Sequence, residues 1–210
     1  MRALLAVCTV ALVAGCSGKV DYVRPSAPPV ASNSKTIEKP RDAVWNTSVP
    51  ELGKQFFVIN NLDKSSGLIN VSYNGDPENY IDCGLLTSYV KNARGERTYD
   101  FPGARAQQTY EVMYSGHLFY IERKISLEGR VNLVFEDISP DTTKVTANTR
   151  YVVTRQATQR EASSNIPQSR TDTISFNSGG SASFPASVTG QATECTSTGK
   201  LEREILSFIK

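Results

Sequence analysis

Apolar and polar residues alternate along much of the middle of the chain. In the stretch GLINVSY, residues 67–73, the side chains of Ile69, Val71 and Tyr73 would share one face. This period of two is that of a half-buried β-strand. We therefore predict strands in the segments that show it, at residues 56–60, 67–73, 80–86, 109–114, 117–125, 131–135, 145–153 and 171–176.

Short turn-forming sequences separate these predicted strands. They are Ser115-Gly116, Glu128-Gly129 and the SPDTT segment at residues 139–143. Strands that follow one another so closely pair as antiparallel neighbours, because a parallel pair needs a connection of a dozen or more residues. The pattern indicates an antiparallel meander whose apolar face needs a covering layer.

Helical patterns stand at both ends of this meander. After Pro40, apolar residues at positions 43–52 fall on one side of a helix that Pro50 would kink or end. Near the carboxyl terminus, apolar residues recur at helical spacing from residue 201 to residue 209. We predict an α+β fold, in which a single helix-grip-like domain over residues 40–210 has its sheet meander covered by an N-terminal and a C-terminal helix.

The start of the chain has the layout of a secretory signal. Arg2 precedes an almost wholly apolar run at residues 3–14, which is shorter than the roughly 20 residues that cross a bilayer as a helix. The sequence LVAGC, which ends at Cys16, resembles the lipobox of bacterial lipoproteins. The resemblance implies that residues 1–15 are a signal peptide and that the thiol of Cys16 is acylated, which would anchor the chain in a membrane. The alternative is an ordinary cleaved signal that happens to precede a cysteine.

The residues after Cys16 bear on sorting and on flexibility. By the same resemblance, Ser17 lacks the carboxylate that tends to retain enteric lipoproteins at the inner membrane, which implies the outer membrane and an orientation towards the periplasm. Residues 16–39 are rich in Ser, Pro and Ala, and their few apolar residues show no period. We interpret this segment as a disordered tether.

Cysteine usage predicts one disulfide. Cys8 lies in the signal and Cys16 is assigned to the acyl anchor, which leaves Cys83 and Cys195. An exported chain with two remaining thiols most simply pairs them, and the alternative is two separately buried thiols. Because the sequence has one histidine, His117, and no CxxC pair, we predict neither a metal site nor a cofactor.

Charge and motifs argue against nucleic-acid binding and against catalysis. The chain has 23 lysines and arginines against 21 aspartates and glutamates, so it offers no basic excess to a nucleic acid. It carries no GxSxG-like nucleophile. We interpret His117 as a polar strand residue and Asp76, Glu78 and Asp82 as a solvated turn. The glycine-rich residues 177–184 lack the pattern of a phosphate loop and are interpreted as a flexible hairpin tip.

The order of these elements behind a lipobox resembles the helix-grip domains of the BamC family of outer-membrane lipoproteins. The resemblance is carried by Trp45 with FFVINNLDKSSGLINVSY at residues 56–73, by GRVNLVFEDISPDTTKVTANTRYVV at residues 129–153 and by STGKLEREIL at residues 197–206. It implies a helix-grip domain and a role in an outer-membrane assembly complex.

Two predicted connections are longer than a hairpin needs. Residues 91–108 combine basic and aromatic side chains, a composition found at protein contact surfaces, and the alternative is a solvated loop. Residues 155–170 have almost no large apolar side chain and are predicted to be a mobile hairpin tip. The candidate partner-binding residues of the first connection are Lys91, Arg94, Arg97, Tyr99, Phe101 and Arg105.

From the sequence, we therefore expect the chain to be a noncatalytic, membrane-anchored lipoprotein that acts as an interaction or accessory component of the bacterial cell envelope. Its expected partner is an unidentified envelope protein. The alternative is a periplasmic carrier of a lipid or a small apolar ligand, because a helix-grip fold can enclose a cavity between a curved sheet and a long helix.

Overall fold

The computed structural model of the chain describes residues 16–26, 32–186 and 191–210. Of these residues, 61% lie in strands and 13% in helices. The predicted signal peptide, residues 1–15, lies outside the described residues. The elements are β1 (Ser17–Val23), β2 (Ser34–Ile37), α1 (Arg41–Gly53), β3 (Val58–Asp63), β4 (Leu68–Gly75), β5 (Ile81–Asp82), β6 (Leu85–Asn92), β7 (Gly95–Pro102), β8 (Gln107–Tyr114), β9 (His117–Ser139), β10 (Thr142–Glu161), β11 (Pro167–Asn177), β12 (Ser181–Phe184), β13 (Thr193–Ser197) and α2 (Lys200–Ser207).

One long hairpin organises the largest sheet. β9 and β10 pair antiparallel from Ser139↔Thr142 to Phe119↔Glu161, a length of about 60 Å at roughly 3.3 Å per residue. At the end near the β9–β10 turn, β4 and β3 extend the sheet beside β9, and β2 pairs with β10. At the other end, β8 pairs with β9 and β11 with β10. The two halves of this sheet therefore share the same two central strands.

Two smaller sheets pack against the large one. β1, β6 and β7 form the first, and β12, β13 and β5 form the second. The first sheet and strands β8 and β9 enclose a small apolar core. The main core lies between the helices and the half of β9 and β10 that is nearer to their connecting turn. The members of the small core are Leu86, Phe101, Tyr110, Val112 and Ile121.

Both helices use apolar side chains to reach the main core. Val44 and Leu52 of α1 are fully buried, and the ring of Trp45 meets that of Phe135 edge-on at 5.3 Å. Pro50 lies inside α1, which continues to Gly53. In α2 the apolar residues Leu201 and Ile205, together with Ile209 beyond its end, are fully buried. Within the described ranges, neither helix is long and apolar enough to cross a membrane.

The predicted α+β, helix-grip-like fold is wrong. Most of the described chain is strand, and it forms several antiparallel sheets rather than one meander covered by two helices. With 8 residues, α2 is only about 12 Å long, which is a small fraction of the β9–β10 hairpin. The small core lies between sheets alone, and the two short helices cover only part of the large sheet.

The position of Gly129 shows one reason why the fold prediction was wrong. The pair Glu128-Gly129 was expected in a turn between two strands, but both residues lie inside β9. A Cβ at Gly129 would lie 2.8 Å from a methyl carbon of Leu201, so the glycine lets α2 approach the strand closely. Here glycine marks a close contact in a strand and not a turn.

The described parts of residues 16–39 differ from the expected disordered tether. β1 pairs with β6 from Ser17↔Lys91 to Val23↔Leu85, and β2 pairs with β10. Val20 and Tyr22 of β1 pack on the small core. β1 is therefore ordered, because its alternate apolar side chains pack against a core.

The predicted disulfide is confirmed. Cys83 and Cys195 are bonded to each other, and both residues are fully buried. Cys83 lies between β5 and β6, and Cys195 lies in β13, just before α2. The bond closes a sequence separation of 112 residues and ties the two parts of the chain together.

Candidate functional site

A surface groove of about 790 Å³ lies beside the first turn of α2. Tyr73 and Tyr80 form its aromatic floor, and their ring centroids are 4.8 Å apart. The ring centroid of Phe56 lies 5.4 Å from that of Tyr73. Phe56 is 55% exposed, so this aromatic surface is offered to solvent. The lining residues are Phe56, Tyr73, Asn74, Asn79, Tyr80, Lys200, Arg203 and Glu204.

Local backbone structure fixes Tyr80 in this groove. Tyr80 follows a 3₁₀ turn at Pro77–Asn79, whose first residue is preceded by Asp76; the Asp76 carboxylate accepts a 3.1 Å hydrogen bond from the Glu78 backbone N–H. The carbonyl oxygen of Tyr80 then accepts two 3.0 Å bonds from Thr198, one from its backbone N–H and one from its hydroxyl. The start of α2 is therefore held directly to the floor of the groove.

Charged groups form the rim. The Tyr80 hydroxyl donates a 2.9 Å hydrogen bond to Glu204 Oε2, and the Lys200 ammonium lies 5.8 Å from the centroid of the Tyr80 ring. Burial, and next the bond to Glu204, raise the pKa of the Tyr80 hydroxyl far above its usual value, so it stays a donor. With Arg203, the rim carries two cations and one carboxylate. Such an arrangement suits binding of an apolar group next to a negative charge.

A second region of interest surrounds Cys16. Cys16 is exposed and has a free thiol. The next residue, Ser17, is the first of β1 and is paired with Lys91 of β6. The position of the expected acyl anchor is therefore continuous with a folded strand.

The candidate partner-binding loop at residues 91–108 does not exist as a loop. It comprises the end of β6, all of β7 and the start of β8. Phe101 is 1% exposed in the small core, and the Arg97 guanidinium lies 2.6 Å from the Glu111 carboxylate. Lys91 pairs with Glu96 across the hairpin, and Arg105 pairs with Glu78. Tyr99 packs against the small core, which leaves Arg94 exposed at the turn.

The other residues singled out in the sequence have structural partners. His117 lies at the start of β9, as interpreted, and its Nδ1 is 2.7 Å from Glu161 Oε1. The Asp82 carboxylate accepts a 2.7 Å bond from the backbone N–H of Gly84. Among residues 16–26, 32–186 and 191–210, no three His, Cys, Asp or Glu side chains form a group that could hold a metal ion.

The two predicted hairpin tips are shorter than expected. Residues 155–170 are mostly the paired ends of β10 and β11, and the turn itself is confined to residues 162–166. Residues 177–184 contain a tight turn at residues 178–180, in which Gly179 has a φ of 72°, followed by β12.

Comparisons with known proteins give no match. No protein-family pattern fits the chain, and neither a curated protein nor a solved structure is significantly similar to it.

Proposed function

We propose that the protein is a noncatalytic lipoprotein of the bacterial cell envelope, anchored in the outer membrane through acylated Cys16 and acting there as an interaction or accessory component. The observation that carries the proposal is the state of the cysteines. Cys83 and Cys195 are paired and buried, whereas Cys16, directly after LVAG, is exposed and free. A cysteine left unpaired in an exported chain needs an explanation, and acylation supplies one.

The groove beside α2 is the proposed contact for an envelope protein. Its partly exposed Phe56 stands next to the buried rings of Tyr73 and Tyr80, and a rim of polar groups surrounds them. Binding energy at protein interfaces concentrates on such aromatic centres with polar surroundings. Lys200 and Arg203 favour a partner segment that carries both an apolar and an acidic side chain.

The packing of α2 favours this function over a lipid carrier. In a helix-grip carrier, the ligand would occupy the space between the helix and the sheet. Here Leu201, Ile205 and Ile209 are fully buried against the sheet and fill that space. The groove lies outside this contact, on the surface.

The anchor is tested by substituting Cys16 in the intact precursor. In cells that express the Cys16→Ser variant, we expect the acylated N-terminal peptide to be missing from the mass spectrum and the protein to leave the membrane fraction. The Ser17→Ala variant is the matched control and should remain acylated. Normal membrane retention of Cys16→Ser would overturn the proposal.

The groove is tested by placing a photocrosslinking amino acid at position 56 and exposing intact cells. Ile138, which is 60% exposed and lies nine residues beyond Gly129 on β9, about 30 Å away, gives a matched control position. We expect position 56 to capture one defined envelope protein, position 138 not to capture it, and Lys200→Glu to reduce the yield. Equal capture at both positions, or capture of lipid alone, would refute the groove as a protein contact.

A further inference from the structure

Three hairpin turns lie at the same end of the molecule as Cys16. The pairing of Ser17 with Lys91 places Cys16 beside the β6–β7 turn. The β8–β9 turn at Ser115-Gly116 and the β10–β11 turn at residues 162–166 lie at the same end of β9, because β9 pairs antiparallel with both β8 and β10. Gly18 lies against Met113 near the end of β8, which places Cys16 at this end as well. We call this end the anchor end.

Side-chain and backbone contacts hold the three turns together. Gly18 lies directly against Met113 near the end of β8; a Cβ there would clash with that residue. The backbone N–H of Ala162 donates a 2.8 Å hydrogen bond to the carbonyl oxygen of Leu118, and His117 lies against Glu161. The anchor end is thus one continuous surface and not three independent loops.

The chain leaves no spacer between this surface and the proposed anchor. Consecutive Cα atoms are about 3.8 Å apart, so acyl chains on Cys16 would hold Ser17 and the start of β1 within a few ångströms of the lipid headgroups. Neighbouring strands are about 4.8 Å apart, which brings the β6–β7 and β8–β9 turns within about 10 to 15 Å of Cys16. A bilayer that held Cys16 would therefore lie close to these turns.

The exposed groups at the anchor end suit a membrane interface. Tyr114 is 53% exposed and Ile166 is 64% exposed, although both lie next to polar turns. Tyrosine is enriched at the headgroup level of bilayers because its ring is apolar and its hydroxyl is polar. Arg94 adds an exposed cation at the β6–β7 turn. Within this end, Lys91 already pairs with Glu96, and Glu161 Oε1 lies 2.7 Å from His117 Nδ1.

We propose that the anchor end is a membrane-contact surface, on which Arg94, Tyr114 and Ile166 rest in the headgroup layer of the bilayer that holds the acyl chains of Cys16. The inference depends on the acylation proposed above and adds an orientation to it. The turn between β9 and β10 then points away from the membrane. Tyr73, in the groove, pairs with Gly129, twelve residues along β9 from His117, so the groove lies about 40 Å from the bilayer.

Tryptophan quenching by nitroxide-labelled lipids tests this orientation. Trp45 is the sole tryptophan, and a Trp45→Phe background allows single reporters Tyr114→Trp and Ile166→Trp at the anchor end. Ile138→Trp, at the opposite end of β9, is the matched control. Each protein is purified from membranes, its acylation is verified by mass spectrometry, its folding is verified by thermal unfolding, and it is reconstituted in vesicles of phosphatidylcholine and phosphatidylglycerol.

We expect several-fold stronger quenching at positions 114 and 166 than at position 138. Inserting a flexible linker of about ten Gly and Ser residues between Cys16 and Ser17 should abolish the difference, because the protein would remain attached but no longer pressed to the surface. Acylated protein with equal quenching at the three positions would overturn the orientation alone. Protein without acyl chains would overturn the proposed function and the orientation together.

Discussion

The Tyr151 hydroxyl donates a 2.7 Å hydrogen bond to Glu202 Oε2, and both residues are buried. The second oxygen of the same carboxylate accepts a 2.7 Å bond from Ser178. Glu202 therefore joins α2 to β10 and to the turn after β11. A buried carboxylate is tolerated here because both of its oxygens have donors.

Glu202→Ala should lower the free energy of unfolding by about 2 to 3 kcal/mol, because it leaves the Tyr151 hydroxyl buried without an acceptor. Urea denaturation followed by circular dichroism measures the change. Glu202→Gln retains an acceptor and should cost less. Glu136→Ala, at an exposed position on β9, should change stability by no more than about 0.5 kcal/mol. Equal effects at positions 202 and 136 would show that the buried bonds contribute nothing.

Stability should fall in alkaline solution. Burial raises the pKa of the Tyr151 hydroxyl, with Glu202 as the next cause, and burial also raises that of Tyr110. In the unfolded chain these hydroxyls ionise near pH 10, so above this pH the unfolded state binds fewer protons than the folded state. The stability is thus fully present below pH 10 and is lost as the pH rises, by up to about 1.4 kcal/mol per pH unit for each hydroxyl.

Urea denaturation between about pH 8 and pH 11 checks this expectation. Tyr151→Phe removes one of the contributing hydroxyls, so its stability should fall less steeply with pH than that of the unsubstituted protein. An identical slope in the two proteins would contradict the assignment to Tyr151.

Loss of the disulfide should destabilise the fold strongly. In the chain-entropy description, a bond that closes 112 residues contributes almost 5 kcal/mol, and this figure is an upper bound. The double variant Cys83→Ala with Cys195→Ala should therefore unfold at a much lower urea concentration. Because both cysteines are fully buried, the native protein should also resist reductants until it is partly unfolded. Rapid reduction of the native protein would show that the bond is accessible.

Gly18 should tolerate no larger side chain. A Cβ at this position would clash with Met113 and would lie 2.9 Å from the carbonyl oxygen of Tyr89. Gly18→Ala should cost about 1 to 3 kcal/mol, as overpacking does, and should raise hydrogen exchange in β1. Gly53→Ala is the control, since the described surroundings leave open space for a Cβ there. No increase in the exchange of β1 would contradict the close docking of β1 on β8.

The alternation of apolar and polar residues predicted the strands well where one face of the strand packs on the main core. β4, β10 and the second half of β9 carry the period of two that the sequence shows, and the turn between β9 and β10 is where SPDTT placed it. The two helices also begin close to the expected positions. In these segments, one face meets apolar partners and the other meets water, so the sequence pattern and the structure agree.

Strands β1 and β7 of the small core were missed because they also carry charges. Val20 and Tyr22 alternate with Lys19 and Asp21 in β1, but this short pattern lies between a lipobox and a proline-rich segment. In β7 the alternate residues 97, 99 and 101 share a face, yet the basic and aromatic composition of this segment was interpreted as an exposed loop, either partner-binding or solvated. A salt bridge to Glu111 accommodates the charge of Arg97 in β7, whereas β1 pairs with a strand more than 60 residues later in the chain.

The groove had a weaker signal in the sequence. Phe56 and Phe57 are adjacent in the bend before β3, and their ring centroids are only 4.6 Å apart. Phe57 is buried and Phe56 is exposed. The contribution of Lys200 and Tyr80 could not be predicted, because it depends on the contact between α2 and a turn about 120 residues earlier in the chain.

The seven residue pairs between β1 and β6 also determine how the fold would respond to force. A pull on residue 16 acts along the axis of β1, so the hydrogen bonds of this ladder are loaded in shear and share the load instead of opening one after another. The same ladder would pass sideways motion of an attached membrane into the β-sheets. In the proposed anchored state, the β1–β6 ladder would thus be the first part of the fold to carry a load applied at Cys16.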